Sequence, residues 1–246
     1  MKIEFWSDII CPYCGLMDNR LRLALGRFEH ADEVQVVHRS FQVHPDLPRQ
    51  GVAQRQLLRM HDIPAQDGER MFASIEGAAH AEGLDPYHAV DRTLGPTDYA
   101  HELLALATDK GRGGEVWTAM FRAHFGARRE LWTKEQVLDF AAGAGLDREE
   151  AAQALNQRRY RGRVAADQRE AERLGAHGTP FMVIDGRYAV PGAVGTDALL
   201  SAMAQAWEAA HLVPRPLQIL GTTDENDATD AACGPDGCAV PPHPAP

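Results

Sequence analysis

Cysteine is scarce in this chain: four residues among 246, at positions 11, 14, 233 and 238. Four are too few to staple a protein of this length. With 44% apolar residues it can bury a sizeable core without them, which excludes a disulfide scaffold. Positive charge is also short. Lys and Arg number 25 against 35 Asp and Glu, for a formal net charge of −10. That balance argues against nucleic acid and anionic membrane surfaces as partners. No stretch approaches the roughly 18 consecutive apolar residues of a membrane span, and no segment repeats at a fixed period. A signal-peptide pattern is missing as well. Lys2 and Glu4 interrupt the opening residues and the first cysteine is already at 11, so the expectation is a cytoplasmic protein.

What is present begins with an alternating run, Lys-Ile-Glu-Phe-Trp over residues 2–6, which reads as a strand. From Cys11 to Phe28 the apolar residues fall at helical spacings, with Pro12 suited to a first helical position. Residues 34–41 are β-branched and strand-like. The connection is long enough for a parallel crossover. Helical patterns then dominate, over 52–60, 67–82, 98–110, 115–125 and 134–144. Thr133 with Gln136, and Asp147 with Glu150, stand at capping-box spacing.

Residues 156–174 read as one long charged helix. Residues 180–184 read as a strand, Asp185-Gly186 as a hairpin turn, residues 188–190 as the returning strand, and 197–210 as a last helix capped by Thr196. The outer segments sum to βαβ, α, ββα. This is an α/β, thioredoxin-like fold with an inserted all-helical domain. The boundaries read as 1–48 and 156–212 for the two parts of the thioredoxin-like domain, 49–155 for the insertion, and 213–246 for a flexible C-terminal tail. That tail lacks the apolar residues to fold alone.

Cys11 and Cys14, separated by Pro12 and Tyr13, stand at i and i+3 across the first turn of a helix, within bridging reach. The helix N-terminus presents free N–H groups and partial positive charge to the first sulfur. That favours thiolate over thiol, and a stabilised thiolate is both nucleophile and leaving group in disulfide exchange. Cys11 reads as the attacking thiol and Cys14 as the buried resolving one. Far along the chain, Thr179-Pro180 opens a strand. In a thioredoxin-like sheet that loop lies beside the dithiol, where a cis Thr179–Pro180 bond would offer the Thr179 backbone to an extended peptide. Asp8 reads as a cap for the coming helix or a proton relay for Cys14. His177 and the scattered histidines read as surface or core residues.

Phe5-Trp6-Ser7-Asp8 running into Cys11-Pro12-Tyr13-Cys14, the helical insertion, and Gly178-Thr179-Pro180-Phe181 followed by Val190-Pro191-Gly192-Ala193 resemble the DsbA family, nearest its cytoplasmic FrnE-like branch. The resemblance spans about residues 1–212. It implies thiol–disulfide oxidoreductase or isomerase activity, with oxidative stress as a setting. The implied nucleophile is Cys11, the resolving residue Cys14 and the cis-proline Pro180. Thr179, Pro12 and Tyr13 would meet a protein or peptide disulfide, or glutathione. No cofactor beyond the cysteines is implied. Pro12-Tyr13 stands where periplasmic DsbA has Pro-His.

The tail pair Cys233–Cys238 flanks Gly-Pro-Asp-Gly, a plausible type I turn that brings the sulfurs within disulfide range. The roughly 22 residues separating it from the last helix span up to about 70 Å extended, against a domain about 45 Å across. The pair can therefore reach Cys11 and serve as a second redox pair. Two other readings stay open. One is a glutathione-dependent small-molecule isomerase or transferase of the same fold. The other is a zinc-binding interaction protein using all four thiolates.

Overall fold

The computed structural model describes residues 1–211, together with the backbone of 233–234 and 237–238. Residues 1–211 form one compact unit and 212–246 are grouped apart from it. The flexible-tail expectation, and the side chains of Cys233 and Cys238, lie outside the described residues. The backbone of Cys233–Gly234 does pair antiparallel with Gly237–Cys238, and this sets Cys233 opposite Cys238.

The first unit is built on a four-stranded sheet. Strand β1 (Lys2–Ser7) runs parallel to β2 (Gln35–Ser40), joined through helix α1 (Pro12–Leu25). β1 pairs antiparallel with β5 (Phe181–Ile184), and β5 with β6 (Tyr188–Pro191), in the order β2-β1-β5-β6. The β5–β6 turn puts Asp185 at φ 49° and Gly186 at φ 65°, the pair of positive φ values a tight hairpin needs.

Alternation along β1 feeds two cores. Ile3 and Phe5 pack with Met17 and Leu21 of α1 and with Leu199 and Met203 of α9 (Thr196–His211). Trp6 faces the other way, against Phe41, Ala171, Phe181 and Val183. Its indole N–H donates to Asp167 O at 2.8 Å, which docks helix α8 (Arg161–Arg173) on that face.

Between β2 and β5 lie helices α2 (Gln54–Met60), α3 (Ala65–Ala81), α4 (Asp98–Asp109), α5 (Gly113–Phe121), α6 (Lys134–Gly143) and α7 (Arg148–Asn156). They share an apolar core centred on Leu103, Trp117, Phe125 and Trp132, which runs continuously to Ile9, Ile10 and Cys14. The Thr133–Gln136 capping box is formed in full, and Asp147 accepts from the Glu150 N–H. A two-residue ladder, β3 (Val52–Ala53) with β4 (Thr93–Leu94), sits among these helices, although the helical pattern does not announce it.

The helix expected over 156–174 begins only at Arg161, and residues 157–160 form a turn after α7. Arg158 takes φ 51°, a left-handed conformation that breaks the helix between α7 and α8. Its guanidinium is drawn into the insertion, with Nε on Glu102 at 2.6 Å and Nη2 on Asp98 at 2.9 Å. Those ion pairs, remote in sequence, override the local helical pattern.

Candidate active site

Helix α1 begins at Pro12, so Cys11 is its N-cap residue, with φ −79° and ψ 113°. The Cys11 carbonyl accepts from the Cys14 N–H at 3.0 Å and the Gly15 N–H at 3.5 Å. Its sulfur therefore sits where unpaired helix N–H groups and the dipole are most positive. Cys11 is partly exposed, Cys14 is fully buried, and both are free thiols.

The sulfurs are treated oppositely. A hydrogen bond from the Cys14 thiol lowers Cys11 below the ordinary thiol value, against the opposing effect of burial. Burial pushes Cys14 well up, and the neighbouring Cys11 pushes it further. One proton shared unequally between two close thiols gives this split.

Thr179 closes the site from the far end of the chain. The Thr179–Pro180 bond is cis, and Thr179 O lies 3.5 Å from Cys11 Sγ. The Thr179 hydroxyl is buried with no partner in hydrogen-bond geometry, and from its place beside the sulfur it helps lower Cys11. Pro180 is buried at the foot of β5, and its carbonyl accepts from the Gly192 N–H at 2.8 Å. Pro12 is buried, while Tyr13 is exposed beside the sulfur. So Cys11, Pro12, Tyr13, Cys14, Thr179 and Pro180 come together. The side chains of Cys233 and Cys238 are not among the described residues. Nor do the described residues include three or more His, Cys, Asp or Glu placed to hold a metal ion.

Asp8 is not the helix cap, because no side chain caps α1. Its fully buried carboxylate turns inward instead. Oδ2 accepts from Val43 N–H at 2.7 Å, and Oδ1 lies 3.3 Å from His101 Nε2. His101 Nδ1 has no partner, so Nε2 carries the proton that meets Asp8. His177 is exposed.

Sequence reasoning missed the insertion's share of the site. Arg92 donates from Nη1 and Nη2 to Ile10 O at 3.3 and 3.2 Å. The Tyr87 hydroxyl donates to Pro12 O, and His124 Nε2 lies 2.9 Å from Arg92. These residues sit roughly 75 to 115 positions beyond the dithiol, in stretches with no motif. Beside Cys11 opens a cavity of about 380 Å³, lined by Val43, Leu57, Leu58, Phe72 and Leu94 among others.

Known proteins share this architecture. A probable DsbA oxidoreductase from Streptomyces coelicolor is 36% identical. The match covers 98% of this chain and 100% of that one, with a TM-score of 0.79. A 2-hydroxychromene-2-carboxylate isomerase is 13% identical over 85% of this chain and 98% of its own, at 0.64. The cytosolic disulfide reductase DsbM from Pseudomonas aeruginosa is 18% identical over 84% and 95%, at 0.53. The last two likenesses concern the fold alone. Among curated proteins no relative matches. The family model described as a DSBA-like thioredoxin domain matches residues 2–204, and the chain belongs to that family.

Proposed function

We propose that the protein is a thiol–disulfide oxidoreductase or isomerase in which Cys11 attacks and Cys14 resolves. One observation carries this reading. A partly exposed sulfur at the N-cap of α1 is lowered by a buried thiol one turn away, which is itself pushed up. The Cys11 thiolate attacks one sulfur of a substrate disulfide. The S–S bond breaks, and the departing sulfur leaves with the bonding pair and takes a proton. Cys14 then loses its proton and attacks Cys11 Sγ. The mixed disulfide breaks, a Cys11–Cys14 disulfide forms, and the substrate has gained two electrons and two protons. Read backwards, the same steps oxidise a dithiol. The Asp8 backbone hydrogen bond to Cys14 eases ionisation of that buried sulfur.

The substrates of this reading are protein or peptide disulfides. The apolar cavity beside Cys11 suits a bulky apolar side chain next to the reacting cysteine, and Thr179 O meets the extended backbone. Tyr13, exposed at the rim, adds a contact surface. A glutathione-dependent reaction on a small molecule is the second reading, favoured by the same cavity. DsbM has been solved with GSH. In that case turnover would survive the loss of Cys14.

The test is pH dependence. Cys11 has a folded value below its ordinary 9.0, so it ionises in the folded protein while the unfolded chain still holds its proton. Its contribution to stability is fully present above 9.0 and is lost as pH falls through the depressed folded value. Cys14, raised in the fold, has the opposite sign and erodes stability above 9.0. Relative to the oxidised protein, in which neither sulfur titrates, the reduced protein should gain stability with rising pH up to about 9 and then lose it. Urea unfolding of both forms measures the difference. The alkylation rate of Cys11 should rise over the same lower range and flatten above it. A flat difference curve with an ordinary alkylation profile removes the reading.

The tail pair Cys233–Cys238 is proposed as an internal exchange partner for Cys11–Cys14. Replacing both with serine should slow turnover by an external reductant such as dithiothreitol while leaving Cys11 alkylation unchanged. Identical turnover would show the pair to be idle.

A further inference from the structure

The exchange steps above leave one buried charge unused. Arg92, only 7% exposed, directly precedes β4 and lines the same cavity as Cys11. Its Nε donates to Ala89 O at 3.1 Å, and both Nη atoms reach Ile10 O. The guanidinium lies 4.8 Å from the centre of the Phe125 ring. None of these partners is an anion. His124, against Nη1, is held down to about 3 by burial and by Arg92 itself, so it is a neutral acceptor. Tyr87 is pushed up by burial and stays a phenol. Glu76 commits Oε1 to the Ala89 and Val90 N–H groups at 2.6 and 2.8 Å. Among the described residues Arg92 forms no ion pair with a carboxylate.

A buried cation with no carboxylate in direct contact is costly, and burial pushes Arg92 down to about 10, with Cys11 and Glu76 among the groups that oppose this. The carbonyl that two of its nitrogens grip belongs to Ile10, which is peptide-bonded to Cys11. The sulfur beside that carbonyl is the group that disulfide exchange needs as an anion.

We propose that Arg92 is a positioning residue for Cys11: its guanidinium, anchored on the Ile10 carbonyl, supplies the fixed positive charge that holds the Cys11 sulfur as a thiolate. This rests on the reading of Cys11 as the attacking sulfur. It also explains how Pro12-Tyr13 works without a charged residue between the cysteines. The other groups facing Cys11 do not replace Arg92. Cys14 donates a hydrogen bond and Thr179 presents only dipoles, so neither carries charge, and Asp8 opposes ionisation. His44 is held down by burial, and His61 stands across the cavity beside it. One hydrogen bond and one peptide unit separate guanidinium from sulfur, on the order of 7 Å. At that range, in a partly buried site, a unit charge moves a titration by about one to two pH units.

The experiment follows thiolate absorbance at 240 nm (roughly the thiolate band) in the reduced full chain, for the unaltered protein, Arg92→Gln and Arg92→Lys. The unaltered protein comes first. If its Cys11 titrates like an ordinary thiol, the reading of Cys11 fails and the role of Arg92 falls with it. If Cys11 is acidic, Arg92→Gln should raise its midpoint by about one to two units and make the reduction potential more negative. Arg92→Lys, which keeps the charge, should recover most of the shift. Equal midpoints in the unaltered protein and Arg92→Gln overturn the proposal. So does an equal rise in both variants, which would mark a packing role. Should Arg92→Gln not fold, side-chain ¹⁵N resonances of Arg92 in the unaltered protein and in Cys11→Ser carry the test. A titration of Arg92 at the Cys11 midpoint, absent from Cys11→Ser, supports the proposal, and its absence from both overturns it.

Discussion

Cys11→Ser should reduce insulin no faster than dithiothreitol does alone, while remaining folded. Position 11 is partly exposed at the N-cap of α1, and a serine there leaves the packing of Cys14 and Pro12 in place. The chemistry leaves no substitute. Attack on a disulfide needs a thiolate, and Cys14, fully buried and pushed up by that burial, can neither reach the substrate nor ionise at neutral pH. Cys14→Ser should behave differently. Attack by Cys11 still occurs but resolution does not, so a mixed disulfide with the substrate accumulates and appears as a mass adduct that a reductant removes. Insulin turnover by Cys11→Ser at the unaltered rate would end the dithiol reading. Unimpaired turnover by Cys14→Ser would instead favour one-thiol chemistry on glutathione.

The second large effect is expected at Asp8, and it separates stability from titration. Asp8→Ala removes a fully buried carboxylate that accepts from Val43 N–H and His101 Nε2. Both donors are left without a partner, a loss of about 3–5 kcal/mol to be read from urea unfolding. Asp8→Asn keeps the shape. Its oxygen still accepts from Val43, and its amide meets a His101 that has moved its proton to Nδ1, so the cost should be about 1 kcal/mol. The charge is nevertheless gone. Asp8 opposes ionisation of Cys11, so the Cys11 midpoint should fall in Asp8→Asn. An unchanged Cys11 midpoint would mean that Asp8 exerts no field on the sulfur. Equal stability of the two variants would mean that the hydrogen bonds at Asp8 carry little.

Local order makes part of this molecule legible in its amino-acid sequence. The β1 alternation, Pro12 at the first helical position, Thr133 with Gln136, and Asp185-Gly186 each depend on residues within a few positions of one another. In each case the backbone requirement and the side chain that meets it are adjacent. The dithiol and Thr179-Pro180 are legible because motif and fold pattern together bring them to one place. Arg158 is not, because its left-handed turn is held by Asp98 and Glu102, some 60 residues away. The same is true of Arg92, Tyr87, His101 and His124. An arginine in Asp91-Arg92-Thr93-Leu94 gives no sign of its destination. Asp8 misleads for a related reason: its local option as a cap loses to distant partners in the strand exit and α4.

Cys11 and Cys14 are synthesised well before Thr179, one of the groups that tune Cys11. A growing polypeptide therefore carries two ordinary thiols, mostly protonated at neutral pH, until α1 has formed and the loop before β5 has been made. Reactivity switches on only when the topology closes. A truncated or half-folded copy is then a poor exchanger.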